Sequence, residues 1–367
     1  MSNIQEAGLR ELFTKKVPLI DVRAPVEFQQ GALPGAVNLP IMNNEERALV
    51  GTAYKREGRE KAIELGHSLV SGEVKEARMQ AWQEQIRQHP DAVIYCFRGG
   101  LRSQITQRWL REVGVDRPVI SGGYKKVRQF LLNEIEQFSN QGNFLMLTGP
   151  TGSAKTHILK QASEFYPAMD LEALAHHRGS AFGAWDVPQP SQKDFENRIG
   201  VGLIQLRAQF PHGPALFEDE SRMIGSRTVP ESFFFTMRAS PVVFVDEKFE
   251  QRVENIFQDY VIGTALARGS EQAAMQIFAR YRASIEAISR KLGGLRTQEV
   301  LQDIAISEAD YRSGRGLEAN KEWIRKLLLY YYDPLYSKSF EKRQPKVLHR
   351  GPSTEILSYL RNLRAGC

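Results

Sequence analysis

The residue with the clearest chemical potential is Cys96, in the run Tyr95-Cys96-Phe97-Arg98-Gly99-Gly100-Leu101-Arg102. An apolar run precedes this cysteine and a helical pattern follows it, which predicts a cysteine at a strand-to-helix turn. The glycines let the backbone curl, and the helix N-terminus with Arg98 and Arg102 would favour the thiolate and bind an anion. Such a cradle suits transfer of a sulfur or selenium group, with these three side chains as candidate catalytic groups. The alternative is a buried, inert cysteine beside a tight turn.

The second candidate is a phosphate-binding loop, Gly149-Pro150-Thr151-Gly152-Ser153-Ala154-Lys155-Thr156, between an apolar run and a helical pattern. This context favours the motif GxxxxGK[ST], although a chance glycine-rich turn is the alternative. Backbone N–H groups would wrap a diphosphate, Lys155 would neutralise it and assist catalysis, and Thr156 would hold Mg²⁺. Ala154 replaces the usual glycine, and its methyl group would reduce affinity for an ordinary nucleoside triphosphate. The candidate phosphate-binding residues are Gly149, Gly152, Ser153, Ala154, Lys155, Thr156 and the more distant Arg178.

Two further segments are candidates for the same site. The apolar run at Leu216-Phe217 ends in Glu218-Asp219-Glu220, as expected of carboxylates that organise Mg²⁺ after a strand. Glu218 and Asp219 are therefore predicted metal ligands together with Thr156, and an exposed acidic turn is the alternative. The cluster from His176 to Gly183 is placed to contact substrate, with Arg178 on a phosphate or in a plain loop. A zinc site is rejected because no cysteine or further histidine has zinc-like spacing.

The bulk composition indicates a soluble protein with ordinary cores. The 367 residues suit about two domains, with 42% hydrophobic and 25% charged residues and a formal charge of +6. The two cysteines, Cys96 and Cys367, lie far apart, which argues against a disulfide framework and for a reducing cytoplasm. A resolving role for Cys367 is a secondary hypothesis. The first ten residues carry no apolar core of a signal peptide, and no stretch reaches the roughly 18 apolar residues of a membrane span.

The elements that must position these residues alternate between strand and helix. Strands are predicted at Val17–Val22, Ala92–Phe97 and Val119–Ser121, with amphipathic helices at Lys61–Val70 and Arg102–Val113 between them. This alternation predicts an α/β domain with a largely parallel sheet.

A polar segment at residues 139–143 marks the predicted domain boundary. A second α/β unit follows, with strands at Phe144–Thr148 and Val242–Val245 and a helix at Thr156–Phe165. Beyond Glu247 the periodicity is helical, and a basic tail follows. The predicted domains are 1–138, 139–300 and a helical C-terminal extension at 301–367.

The first domain resembles the rhodanese family. Asp21-Val22-Arg23-Ala24-Pro25-Val26-Glu27-Phe28, then Gly31 and Pro34-Gly35-Ala36-Val37-Asn38-Leu39-Pro40, are similar to its amino-terminal signature. The cysteine run and Gly122-Gly123-Tyr124 fall where that family has its active loop and closing segment. The resemblance implies that Asp21 braces loops near the active site rather than acting in catalysis.

The combination of both domains resembles the bacterial tRNA 2-selenouridine synthases. The similarity extends from about residue 10 to about residue 300 and includes Glu46–Lys55, Asp170-Leu171-Glu172, the His177-Arg178-Gly179-Ser180 cluster and Glu218–Ser221. It implies an α/β fold with an N-terminal rhodanese-like domain, then a P-loop NTPase-like α/β domain with a C-terminal helical subdomain.

The same resemblance implies a transferase that modifies wobble 2-thiouridine in tRNA. Geranyl diphosphate would geranylate the sulfur, and selenium from selenophosphate would then replace the geranylthio group. A diphosphate donor would make Ala154 less damaging in the phosphate loop. Cys96 would act in the selenium step as nucleophile or as selenium carrier, and Arg98 and Arg102 would hold selenophosphate. A selenophosphate supply enzyme is an expected partner, and no membrane is involved.

A tRNA substrate requires a basic surface with aromatic platforms. The candidates are Lys125, Lys126 and Arg128, the Tyr330–Tyr332 run, and Lys338, Lys342, Arg343 and Lys346 of the tail. Solvated helix faces and a packed aromatic core are the alternatives for these residues.

Two other functions compete with tRNA modification. One is a thiosulfate sulfurtransferase fused to a small-molecule kinase, which has no use for a basic tail. The other is a nucleotide-switched binding protein with an inactive rhodanese domain, against which the intact Cys96 counts.

Overall fold

The computed structural model describes residues 3–178, 187–263 and 271–365, which belong to two compact units. Unit 1 extends to Phe138 and includes Pro190–Gln209. Unit 2 contains Ser139–Gln189 and the chain from Phe210 onwards. Cys367 and residues 179–183 of the predicted substrate cluster lie outside the described residues.

The strands in chain order are β1 Leu19–Asp21, β2 Ala36–Asn38, β3 Val93–Tyr95, β4 Phe144–Thr148, β5 Ala168–Met169, β6 Ala215–Glu218, β7 Met223–Ile224, β8 Arg227–Thr228, β9 Val242–Val245 and β10 Val347–Gly351. The α-helices are α1 Leu9–Thr14, α2 Pro25–Gln29, α3 Asn44–Glu57, α4 Arg59–Leu69, α5 Gly72–Gln88, α6 Leu101–Glu112, α7 Gly123–Gln141, α8 Lys155–Ala162, α9 Leu171–Ala175, α10 Gln192–Gln209, α11 Glu231–Ala239, α12 Phe249–Ile256, α13 Glu271–Leu292, α14 Gly294–Arg312, α15 Asn320–Leu327, α16 Asp333–Arg343 and α17 Ser353–Ala365. A 3₁₀ turn covers Glu6–Gly8, and π-helical turns cover Phe257–Ile262 and Leu328–Tyr332.

Unit 1 is built on a parallel sheet with strand order β2-β1-β3. Successive side chains of a strand point to opposite faces, so Leu19 packs into one hydrophobic cluster and Ile20 into another. Both faces of β1 and β3 are buried, as expected for a parallel sheet covered by helices on both sides. The predicted strand at Val119–Ser121 is reduced to single bridges, in which Val119 pairs with Ile94 and Ile120 with Ile4.

Unit 2 contains a parallel sheet with strand order β10-β9-β4-β6-β5, and β4 lies at its centre. Strand β4, which is apolar up to Leu147, and the all-apolar strand β9 are fully buried and match the predicted bounds. A separate helical core gathers side chains from α12 to α15, among them Trp323 and Ile285.

The C-terminal segment differs from the helical extension that the sequence predicts. Within the described residues, β10 pairs in parallel with β9, and α17 places Ile356 and Leu360 in the same hydrophobic cluster as Leu159 of α8. Residues 347–365 therefore complete the sheet that carries the phosphate loop. No described helix is long and apolar enough to cross a membrane.

Candidate active sites

Cys96 lies in the turn between β3 and α6, as the sequence predicts. Its side chain is only 3% exposed, and its Sγ lies 3.2 Å from Ser103 Oγ and 3.9 Å from the carbonyl oxygen of Gly100. The N–H of Tyr124 donates to the Cys96 carbonyl at 2.8 Å, and the N–H of Lys125 donates to the Phe97 carbonyl at 2.9 Å. The start of α7 thus fixes the loop that holds the thiol.

Glycines make this close approach possible. Gly99 has φ +63°, and a β-carbon there would lie 2.6 Å from the backbone of Gly122 and Ile120. Gly123 has φ +56°, and a β-carbon there would lie 2.3 Å from the Cys96 carbonyl oxygen. Side chains at either position would therefore force the cysteine loop and α7 apart.

The two arginines beside Cys96 have different surroundings. Arg102 forms an ion pair with Glu27 at 2.5 Å. Burial would raise the pKa of Glu27, but hydrogen bonding and charge from Arg102 outweigh it and lower that pKa. Arg98 is exposed and lies over the Phe97 ring, 5.8 Å from its centroid. Arg98 is thus the more available of the two for an anion.

Asp21 and Arg23 form a buried pair under this loop. Arg23 Nη2 donates to Asp21 Oδ2 at 2.6 Å and to the Gly31 carbonyl at 2.8 Å, and its guanidinium stacks 4.1 Å from the ring centroid of Tyr124. The pair ties β1 to the segment before β2 and to α7. Asp21 is 0% exposed, which suits bracing and not contact with substrate.

The phosphate loop of unit 2 connects β4 to α8. Lys155 Nζ donates to the Gly149 carbonyl at 3.0 Å, and Ser153 Oγ donates to the Pro150 carbonyl at 2.8 Å. Gly152 has φ +84°, and a β-carbon there would lie 2.7 Å from the Arg252 carbonyl oxygen. Ala154 has φ +59° in the left-handed region, so the backbone conformation, besides the space near a phosphate, explains why glycine is usual there.

Helix α12 supports the outer side of this loop. Arg252 Nε donates to the Thr151 carbonyl at 2.8 Å, and Asn255 Nδ2 donates to the Gly152 carbonyl at 2.8 Å. Arg252 is also paired with Asp333 at 2.5 Å. The sequence contains no local signal for this support, because the partners lie about a hundred residues away.

Three carboxylates gather beside the loop: Glu172, Glu218 and Glu220, whose nearest oxygens lie within 4.8 Å of one another. Burial, and then the charge of Glu172, raise the pKa of Glu218 to about 8 and that of Glu220 well above its ordinary value. Glu218 is 2% exposed, and its Oε1 has no hydrogen-bond partner among the described residues. A buried oxygen of this kind beside Thr156 fits a hard cation such as Mg²⁺.

Asp219 lies apart from this cluster. Arg343 Nη1 donates to both of its carboxylate oxygens at 2.6 Å, and Thr148 Oγ1 donates to Oδ2 at 2.7 Å. The carboxylate of Glu218 thus lies beside Thr156, whereas the carboxylate of Asp219 is held by Arg343 and Thr148. Glu172 and Glu220 were missed as candidate ligands. The Asp170-Leu171-Glu172 segment was the available signal for one of them.

Arg178 lies at the first π-helical turn. Its Nη1 donates to the Asp259 carbonyl at 3.2 Å, and its guanidinium lies 4.9 Å from the ring centroid of Tyr260. Tyr260 in turn borders a narrow pocket that Thr151 of the phosphate loop also lines. The other lining residues are Ile256, Trp323, Ile324, Leu327, Leu328 and Tyr332. An almost wholly apolar pocket therefore begins at the phosphate loop.

Three of the seven predicted RNA-binding cations have ion-pair partners among the described residues. Lys126 pairs with Glu6 at 3.2 Å, and Arg128 pairs with Glu196. Arg343, which binds Asp219, has a side chain only 5% exposed. The exposed candidates that remain are Lys125, Lys338, Lys342 and Lys346.

Comparison with known proteins identifies the family of both domains. A family model for the rhodanese-like domain matches residues 6–129, and one for the tRNA 2-selenouridine synthase AAA domain matches residues 142–366. The tRNA 2-selenouridine synthase of Nitrosomonas eutropha is 48% identical over 98% of this chain and 97% of its own length. The chain belongs to the tRNA 2-selenouridine synthase family. The member from Bdellovibrio bacteriovorus is 49% identical over 99% of both chains.

Membership of this family confirms the resemblance that the sequence suggests. It also confirms the fold class, with a rhodanese-like domain first and a P-loop-like α/β domain with a helical C-terminal region second. The roles of the individual site residues stay predictions.

Proposed function

We propose that the chain modifies the wobble 2-thiouridine of tRNA in two successive transfers. In the first, the sulfur attacks C1 of geranyl diphosphate, the C–O bond breaks, diphosphate leaves and the N3 proton is lost. In the second, the Cys96 thiolate adds at C2 and geranylthiolate leaves, the selenium of selenophosphate then displaces Cys96 from C2, and water cleaves the P–Se bond to give phosphate. The observation that carries this proposal is the presence of both a clasped cysteine loop and a phosphate loop beside buried carboxylates in a member of this family.

The phosphate loop supports the geranyl transfer. Its backbone and Lys155 suit a leaving diphosphate, because preorganised donors stabilise the charge that develops as the C–O bond breaks. The pocket that starts at Thr151 has an apolar lining suited to a prenyl chain, but its volume is about 30 Å³, so the lining side chains would have to move apart to admit one. Thr156, Glu172, Glu218 and Glu220 would hold Mg²⁺, which supplies charge neutralisation to the diphosphate.

The cysteine loop supports the selenium transfer. Cys96 is a free thiol that is 3% exposed, and Arg98, which is exposed in the same loop, would hold the phosphoryl group of selenophosphate. Arg102 contributes by positioning, since its partner is Glu27.

Stepwise incubation tests the proposal. A 2-thiouridine anticodon stem-loop is mixed with the full-length protein and geranyl diphosphate, selenophosphate is added afterwards, and the nucleosides are followed by mass spectrometry. We expect geranylthiouridine first and selenouridine second. Consumption of thiosulfate with no change in any nucleoside would instead identify a sulfurtransferase joined to a small-molecule kinase.

A further inference from the structure

A large cleft opens beside the cysteine loop of unit 1. Its volume is about 1150 Å³, and it lies between the residues that follow Cys96 and the hairpin of α3 and α4. We call it the cysteine-side cleft. Pockets for whole small molecules occupy about 300–1000 Å³, so this space far exceeds what a selenophosphate ion needs.

The hairpin wall of the cleft is anchored at its start. The Asn43 side chain accepts a hydrogen bond from the N–H of Glu46 at 2.8 Å, and the Glu46 side chain accepts one from the N–H of Asn43 at 2.7 Å. Arg78 of α5 then pairs with Glu46 at 2.7 Å. The wall is thus fixed to the rest of unit 1, and it presents a defined surface to the cysteine loop.

The cleft is basic. Its lining contains Arg47, Lys55, Arg59, Arg98, Arg102 and Lys193. Glu27 is the one carboxylate among the lining residues in the part of the chain that the structure describes, and it lies 2.5 Å from Arg102 and 3.6 Å from Arg47. The other four cations have no ion-pair partner among the described residues: Lys55, Arg59, Arg98 and Lys193. Their net positive charge favours a polyanionic ligand.

Aromatic side chains stand on both walls. Tyr54 of α3 is 58% exposed, and Phe97 of the cysteine loop is 36% exposed and stacks on Tyr124 with 6.4 Å between ring centroids. Exposed rings next to unpaired cations are the combination with which proteins hold splayed bases and the phosphates between them. A purely anionic small substrate would not require the rings.

We infer that the cysteine-side cleft binds single-stranded anticodon-loop nucleotides, with bases stacked on Tyr54 and Phe97 and phosphates on Lys55 and Arg59. This inference rests on the proposed function, because it identifies where that function's RNA substrate meets the cysteine loop. It adds a second surface to α7, where Lys125 is exposed but Arg128 is engaged by Glu196.

Fluorescence anisotropy with a labelled anticodon stem-loop and the full-length protein tests the assignment. The double variant Lys55→Gln/Arg59→Gln should weaken binding more than fivefold. It should also reduce the slope of log binding constant against log salt concentration by about 1.4, because each of the two lost phosphate contacts accounts for about 0.7. Tyr54→Ala should weaken binding about tenfold by loss of one stacked base. The matched control is Arg56→Gln/Lys61→Gln, which removes the same charge from exposed positions of α3 and α4 outside the cleft lining. It should bind within twofold of the parent protein.

A photo-crosslink from 4-thiouridine at the wobble position provides the second measurement. We expect adducts on residues 47–63 or 97–102, and adducts confined to other segments would overturn the inference. So would superimposable anisotropy curves for the test and control double variants. If the parent protein still makes selenouridine in that case, only the cleft assignment fails. If the cleft binds RNA but no selenouridine forms, the proposed reaction fails and the RNA site stands.

Discussion

At the scale of single residues, Ala154 occupies a backbone conformation that favours glycine. Its φ of +59° costs an L-residue about 1–2 kcal/mol, whereas glycine would add about 0.4–1 kcal/mol of entropy to the unfolded chain. The strain is the larger effect, so Ala154→Gly should raise the free energy of unfolding by about 0.5–1 kcal/mol. Urea unfolding of the full-length chain measures this change. As the matched control, Gly152→Ala should lose more than about 1 kcal/mol, because its β-carbon would lie 2.7 Å from the Arg252 carbonyl oxygen. A lower stability for Ala154→Gly would contradict the argument.

Glu218 should make stability depend on pH. Its folded pKa of about 8 exceeds the ordinary value of 4.5, so the folded state holds the proton more tightly. The contribution of this group is fully present below about pH 4.5 and is lost as the pH rises through about 8. In a chelator, the Tm of the parent protein should therefore fall more between about pH 6 and about pH 9 than the Tm of Glu218→Gln. Parallel Tm curves for the two proteins would show that the carboxyl is not perturbed.

The metal assignment can be separated from this titration. Added Mg²⁺ should raise the Tm of the parent protein and should not raise the Tm of Glu218→Gln. At a Mg²⁺ concentration a hundredfold above Kd, the free energy of unfolding of the parent protein should increase by about 2.7 kcal/mol. Asp219→Asn is the matched variant, because Asp219 is engaged by Arg343 and Thr148 outside the cluster. It should keep the Mg²⁺ effect. If Asp219→Asn loses the Mg²⁺ effect, Asp219 is a metal ligand, as the sequence predicts.

At the scale of elements, α12 is the support on which the phosphate loop depends. Arg252→Leu should cost about 2–3 kcal/mol, somewhat less than for a fully buried pair because Asp333 is 28% exposed. It should also weaken binding of inorganic pyrophosphate, since the Thr151 carbonyl loses its donor. Calorimetry and titration measure the two effects. The control is Arg325→Ala, which breaks the exposed pair with Glu250 and should cost less than about 1 kcal/mol. Unchanged pyrophosphate affinity in Arg252→Leu would refute the supporting role.

The elements that the sequence predicted best are the ones whose own residues determine them. The strands at Phe144–Thr148 and Val242–Val245 are short runs with four consecutive apolar residues each, which favours burial on both faces of a sheet. In contrast, β10 is largely exposed and carries His349 and Arg350, so its sequence has no strand pattern. It forms a strand because its backbone pairs with the edge of β9. Since β9 lies about a hundred residues earlier in the chain, the sequence around β10 contains no signal for this pairing.

At the scale of the whole molecule, the same distinction separates the parts of each site. Cys96 and the phosphate loop could be predicted because contiguous residues form them. The cluster of Glu172 with Glu218, the support by Arg252 and the cysteine-side cleft depend on segments that the fold brings together. Sequence patterns therefore identify the contiguous parts of each site, whereas the ion-pair partners of Asp219 and Arg128, which are Arg343 and Glu196, come from distant segments.

We propose that one chain performs two transfers with two separate sets of residues. The most direct test gives a 2-thiouridine stem-loop to Cys96→Ser and to Lys155→Ala, and a chemically geranylated stem-loop to Lys155→Ala as well. Both donors are present in each sample, and the nucleosides are identified by mass spectrometry. We predict that Cys96→Ser accumulates geranylthiouridine, and that Lys155→Ala converts the geranylated substrate to selenouridine but geranylates 2-thiouridine at least about a hundredfold more slowly. Selenouridine formed by Cys96→Ser at the parental rate, or geranylation by Lys155→Ala at the parental rate, would contradict the account.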